Sequence, residues 1–271
     1  MVGRNVVTPV PILLYHSISD HPSPALADYT LPPSMLAEHA AVIADQGWVV
    51  VTITELNRRV SEGGLGDAPT LAITFDDGFA DNAEEAACVL ADHSLAATLY
   101  VASGTVGSTC SWLGSGERRP MASWQQLRDL SAAGWEIGAH SVTHPELDIV
   151  PAHRASREII ESRITLQDGL GLGIDSFAYP HGYHTNQTRD AVIAAGFDNA
   201  CAVRNRPSSD VDDRFARARL TIPATLTGDG LAQLLRQADR PRSDQTLGGR
   251  YSRRVWRTYR KVRRLAGKGV R

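Results

Sequence analysis

Two hydrophobic rhythms take turns along the chain. Short apolar runs rich in Val, Ile and Leu at 11–17, 48–52, 71–75, 97–102, 135–139, 176–179 and 199–203 predict strands, and 216–222 predicts one more. Between them the apolar positions recur at helical spacing over 34–46, 54–61, 81–93, 123–133, 151–170, 187–195 and 230–238. Thr54 is the expected N-cap of the second of these helices, and Gly134 and Gly196 stop the fourth and the sixth. A Gly/Ser-rich stretch over 103–120 predicts a long loop. Regular alternation of this kind implies a mostly parallel sheet wrapped by helices, an α/β fold. With seven or eight repeats and no dinucleotide glycine fingerprint, a (β/α) barrel is favoured over an open sheet. Barrels of this class commonly occupy ~200–250 residues as one domain, so we expect a single barrel over 1–245 and a separate tail over 246–271.

Composition narrows the function classes. The 271 residues are 42% hydrophobic and 21% charged, as in an ordinary globular protein. The formal charge of −2 hides an asymmetry: ten Lys or Arg and no acid lie in 250–271, leaving 18 basic against 30 acidic residues and a charge of −12 in 1–249. An acidic body argues against nucleic acid as a partner. The tail places Val255, Tyr259, Val262 and Ala266 on one helical face among arginines, a pattern that suits peripheral contact with an anionic membrane and equally a solvated end. Cys88, Cys110 and Cys201 lack the spacing of a thiolate metal site or a disulfide framework, and read as two small buried hydrophobes and one loop thiol. With neither a cleavable leader nor a run of ~20 apolar residues, the expected location is the cytoplasm.

Two segments carry candidate chemistry. In 71–78 an apolar strand delivers Asp76 and Asp77 to its C-terminal end, where Gly78 turns the chain. Catalytic groups of α/β barrels gather at that end, and successive residues point in different directions, so two adjacent carboxylates can divide two roles. The same pattern also fits a strand-to-helix turn in which the aspartates merely cap. In 135–144 a second strand runs into a loop bearing His140 and His144. If that loop turns helically, both imidazoles share one face ~5–6 Å apart, within reach of one metal ion. Two His and one carboxylate with open positions form a recurring catalytic metal set.

Together, Thr74-Phe75-Asp76-Asp77-Gly78 and His140-Ser141-Val142-Thr143-His144 resemble the signature motifs of the polysaccharide deacetylase family, also called the NodB-homology or carbohydrate esterase family 4 domain. The resemblance spans roughly residues 8–225. It implies a deformed (β/α) barrel and a hydrolase that removes N-acetyl groups from an N-acetylhexosamine-containing glycan or glycoconjugate. It also implies Asp77, His140 and His144 as metal ligands, with zinc, cobalt or nickel all suited, and Asp76 as general base. The segment Tyr179-Pro180-His181-Gly182 looks like the family's third motif, which walls the groove; by that likeness the Tyr179 backbone N–H, with Pro180 beside it, contacts the oxyanion.

Two family features stand elsewhere in this chain. The arginine that precedes the third motif in many members, and orients the base, is replaced by Phe177 and Ala178; Arg219 is the candidate substitute from another strand, or else an ordinary surface arginine. The late histidine that serves as general acid is missing, since no histidine follows His184. The opening Tyr15-His16 resembles a circularly permuted branch that includes poly-N-acetylglucosamine deacetylases, where the acid comes from the first strand, so His16 is the expected acid and His181 and His184 its competitors. Trp112 and Trp124 border the long loop, either to stack on sugar rings or to anchor it. Rival functions are a related amidase or O-acetyl esterase and a non-catalytic glycan-binding module. The retained Asp76 speaks against the module, because binding alone needs no base beside a metal.

Overall fold

The structure is a computed structural model that describes residues 8–114 and 117–238. Its frame is a curled parallel sheet of eight strands: β1 (Ile12–Tyr15), β2 (Val49–Val50), β3 (Thr70–Phe75), β4 (Thr98–Val101), β5 (Glu136–Ala139), β6 (Ser176–Ala178), β7 (Asn199–Cys201) and β8 (Leu220–Thr221). The order across the sheet is β7-β6-β5-β4-β3-β1-β8, with β2 paired to the start of β3, and every pairing is parallel. The two edges are brought together by a bridge from Cys201 to Arg217, three residues ahead of β8, and by the bonds Ala202 N–H to Arg217 O and Asn205 N–H to Arg219 O. This is the deformed barrel expected from the sequence.

Seven helices fill the connections: α1 (Pro33–Asp45), α2 (Ile53–Ser61), α3 (Ala87–Ala91, entered through a π turn over Asn82–Ala86), α4 (Trp124–Ala132), α5 (Ala152–Leu170), α6 (Asn186–Ala194) and α7 (Gly228–Ala238). Their starts follow capping chemistry. Pro33 opens α1, and Ser123 with Gln126 closes a capping box on α4. The α2 cap is Thr52, not Thr54 as expected; Thr54 instead gives its hydroxyl and its N–H to Glu136. The strand expected at 216–222 shortens to Leu220–Thr221, because the residues before it leave the β1 edge to bond with β7.

Period-two alternation along the strands sorts side chains into two cores. Leu71, Ile73 and Phe75 of β3 and Leu99 and Val101 of β4 pack outward under the helices. Ala72, Tyr100, Ala178 and Cys201 meet inside the barrel, plugged at the strands' N-terminal ends by Ile53 and Leu56 of α2. Cys110 and Cys201 are buried, so two of the three thiols are buried as expected, but the third, Cys88, lies exposed on α3 and not in a loop. No helix among the described residues is long and apolar enough to cross a membrane. The basic tail at 246–271 lies outside the described residues.

Candidate active site

The C-terminal ends of β1, β3, β5 and β6 converge, and the residues singled out in the sequence arrive there together. Asp76 and Asp77 leave β3 together, and each brings a carboxylate oxygen to 3.7 Å from His140 Nε2. Asp77 adopts φ +77 and is followed by Gly78 at φ +86, so the chain turns in the left-handed region immediately after the strand. The β5 loop does not turn as a helix. Ser141 and His144 take φ +64 and +56, and the Ser141 hydroxyl accepts the His144 N–H at 3.1 Å, which brings the two imidazoles to 4.9 Å between ring centroids. With His181 at φ +58, four of the six described non-glycine residues at positive φ belong to this one site. Such backbone persists only where its surroundings over-determine it, and it clusters at functional sites.

Asp77, His140 and His144 each offer a ligand atom, all within 4.8 Å of one another, and all three residues are buried. Four further observations fit a metal ion. His140 donates from Nδ1 to the Ala178 carbonyl at 2.8 Å, so its Nε2 carries the lone pair, and that nitrogen faces Asp77 Oδ1 at 3.7 Å. Burial pushes His140 down to about 4 despite nearby Asp76, which keeps its ring neutral near neutral pH. His144 brings Nε2 to 3.2 Å from Asp77 Oδ1, while its buried Nδ1 has no hydrogen-bond partner among the described residues. Burial alone would raise the Asp77 carboxyl, but His144 and the neighbouring histidines hold it well below the usual range, a ready anionic donor. The set is two nitrogens and one oxygen, the donor chemistry of zinc and its neighbours.

Asp76 is gripped from below. Arg219, fully buried, donates to both carboxylate oxygens at 2.6 and 2.7 Å, to Thr74 Oγ1 and to the Ala202 carbonyl at 3.3 Å each. The residue read as either a substitute guanidinium or a surface arginine is therefore an inward group of the barrel. Burial works to raise Asp76, and the Arg219 charge outweighs it, so the carboxylate stays ionised.

The histidines separate. His16, half-buried at the end of β1, lies within the field of both aspartates; burial lowers its pKa while Asp77 and Asp76 oppose the fall. Its ring rests 5.0 Å from that of Tyr29, and its carbonyl accepts Asn82 Nδ2 at 2.7 Å. The His181 ring sits 4.7 Å from that of His144. His184 is stacked on Tyr179, whose side chain belongs to the outer core and donates its hydroxyl to the Phe215 carbonyl. One expectation fails here: the Tyr179 N–H is spent on the Cys201 carbonyl at 3.1 Å, continuing the β6–β7 ladder, so it is not available to an oxyanion. Pro180 is buried and opens the short turn that follows.

Of the two tryptophans, Trp112 stacks on His144 at 4.7 Å and walls the site, whereas Trp124 lies against Gly169 and fastens α4 to α5. Two supporting groups went unnoticed in the sequence. Glu158 of α5 takes N–H bonds from Val142 and Thr143 and the Thr143 hydroxyl, pinning the loop between His140 and His144 at 2.9, 2.8 and 2.6 Å. Its signal was a carboxylate on the buried helix stripe that also holds Ala155, Ile159, Ser162, Leu166 and Leu170. Asp81 accepts from Ser17 and Arg119 at 2.6 and 3.2 Å and ties the turn after Asp77 to the residue after His16.

A family model described as polysaccharide deacetylase matches residues 64–200, just over half the chain. YxkH of Bacillus subtilis, provisionally named a polysaccharide deacetylase, is 22% identical over 81% of this chain and 73% of its own. A chitooligosaccharide deacetylase of Sinorhizobium fredii is 32% identical over 39% of this chain and 42% of its own. The deacetylase PplD of Streptococcus pyogenes, solved with acetate, superposes with a TM-score of 0.74 at 22% identity, covering 84% of this chain and 99% of that one. IcaB of Ammonifex degensii gives 0.71 at 21% identity, covering 86% and 98%. The barrel, the motifs at its open end and the family match agree: the chain belongs to the polysaccharide deacetylase family, hydrolases of carbon–nitrogen bonds in carbohydrate esterase family 4.

Proposed function

We propose that this chain hydrolyses the N-acetyl group of an N-acetylhexosamine in a glycan or glycoconjugate, giving a free amine and acetate. The observation that carries the reading is a buried His140–His144–Asp77 donor set beside an ionised Asp76 that Arg219 holds by two hydrogen bonds. The substrate class is that of the Sinorhizobium relative, a chitooligosaccharide deacetylase.

His140, His144 and Asp77 would hold a divalent cation, zinc foremost and cobalt or nickel also suited, which supplies Lewis acidity toward the acetamide carbonyl and the attacking water. Asp76 accepts the proton of that water as its oxygen bonds to the acetyl carbon. Arg219 keeps the carboxylate ionised and fixed in direction, so no reorganisation is required when the proton moves. His16 gives a proton to the departing nitrogen as the C–N bond breaks; burial lowers its pKa, and the two aspartates oppose that fall. Trp112 and the His181 ring border His144 and shape the space into which the acetamide enters.

The test is acetate release from an N-acetylglucosamine oligomer by zinc-loaded protein, comparing wild type with Asp76→Asn and His16→Ala. An active wild type, a nearly silent Asp76→Asn and a strongly slowed His16→Ala support these roles. Full activity in His16→Ala would move the acid to His181. A zinc-loaded wild type that releases no acetate would refute the reading.

A further inference from the structure

An ion pair this deep in a barrel needs a support, and the side chain under it is Tyr100 of β4. The guanidinium carbon of Arg219 stands 5.4 Å from the centroid of the Tyr100 ring. That lies within the ~6 Å over which an aromatic face attracts a cation. Both side chains are fully buried, so solvent does not weaken the attraction.

The ring is itself fixed. Its hydroxyl lies 2.7 Å from Ser176 Oγ and 3.4 Å from Cys201 Sγ, and Ser176 donates onward to Asn199 Oδ1 at 2.6 Å. Next to it, β5 carries Gly138, where a Cβ would fall 2.5 and 2.6 Å from Cδ1 and Cε1 of the ring. The glycine leaves bare the one place on β5 where the ring lies. Below, the interior stays polar through Thr98, Glu136 and Thr54, so the Tyr100 hydroxyl joins a chain of hydrogen bonds from the closed end of the barrel.

We propose that Tyr100 is a positioning residue for Asp76, acting through Arg219. Its face holds the guanidinium in the plane and at the height from which both N–H groups meet both carboxylate oxygens. Without it, Arg219 retains its charge but loses its floor, and the base loses its aim rather than its ionisation. The proposal rests on the role given to Asp76 above.

Two measurements test it, on zinc-loaded protein of unchanged circular dichroism and zinc content. The first is steady-state acetate release by Tyr100→Phe, Tyr100→Leu and Tyr100→Met, the last of these filling the cavity without an aromatic face. Tyr100→Phe is expected to keep kcat within about 2-fold, while the two aliphatic variants lose about 30-fold in kcat at nearly constant KM. Aliphatic variants with wild-type kcat, or a Tyr100→Phe as slow as they are, would overturn the proposal. The second reads the guanidinium directly. The side-chain ¹⁵N–¹H resonance that disappears in Arg219→Met should keep its ring-current shift in Tyr100→Phe and lose it in both aliphatic variants. If wild type releases no acetate, the deacetylase reading falls while this resonance still decides Tyr100: a shift lost in the aliphatic variants sustains the support of Arg219, and an unmoved one refutes it.

Discussion

Replacing Arg219 by methionine isolates the strongest interaction in the site. The variant keeps most of the side-chain volume but strips the Asp76 carboxylate of both its 2.6 and 2.7 Å donors in a place closed to solvent. Removing one partner of a buried pair costs ~3–5 kcal/mol, because the other charge is left uncompensated. For a chain of this size that corresponds to a fall of roughly 6–20 °C in the thermal midpoint. The loss should depend on pH with a defined sign. In wild type Asp76 sits below the ordinary carboxylate value, so it contributes stability above that value and loses it as pH falls through its folded pKa. In the variant burial is unopposed by the guanidinium, the carboxyl moves up, and protonation relieves the penalty. The gap between the two proteins, measured by melting of metal-free samples, should be widest near about pH 8 and narrow toward about pH 4. Adding Asp76→Asn to Arg219→Met should recover much of the lost stability, since position 76 no longer carries a buried charge without a partner. A gap under about 1 kcal/mol, or one equal at both pH values, would refute this account of the pair.

Other expectations follow from the same site. Glu158→Ala, which frees the loop that carries His144, should weaken zinc binding ~10–100-fold in a competition titration, with Glu158→Gln closer to wild type. Treatment with a chelator should abolish acetate release and added zinc restore it, whereas His140→Ala should not be rescued by zinc at stoichiometric concentration. Phe75, fully buried and stacked at 5.4 Å between Tyr15 and Trp135, should cost ~3–5 kcal/mol on truncation to alanine, read by denaturant unfolding, with no specific effect on zinc affinity in the folded fraction.

The barrel was legible because its strands are buried on both faces and its helices are amphipathic, so both periods are written locally in the sequence. The ends of elements were less so. Thr54 carries a capping side chain, but Glu136, from a strand 82 residues away, competes for it. Asp76, Asp77, His140 and His144 could be picked out from residue type at strand ends, and the fold brings them together. The shape that unites the two histidines was not, because left-handed backbone at Ser141 and His144 has no mark in a sequence that lacks glycine there. Nor does spacing show which backbone groups a sheet will consume: Tyr179 lost its expected role to a ladder bond with Cys201. Arg219 and Glu158 reach their partners only through tertiary packing, which periodicity does not encode.

The pairing of Arg219 with Asp76 joins residues 143 positions apart, and this bears on how the molecule comes into being. Chains emerge from the ribosome N-terminus first, so β3, both aspartates, His140 and His144 exist well before residue 219 is made. Until then, closing the upper barrel would seal a carboxylate away from water with no counter-charge, which is unfavourable by several kcal/mol. We expect the nascent barrel to stay ajar and hydrated at that end, with the strands' lower halves and α2 already packed. Arrival of the last strand then brings the missing charge, seats Asp76 and expels the water in one event. A nascent chain stalled before residue 219 would therefore hold most of the fold and none of the activity.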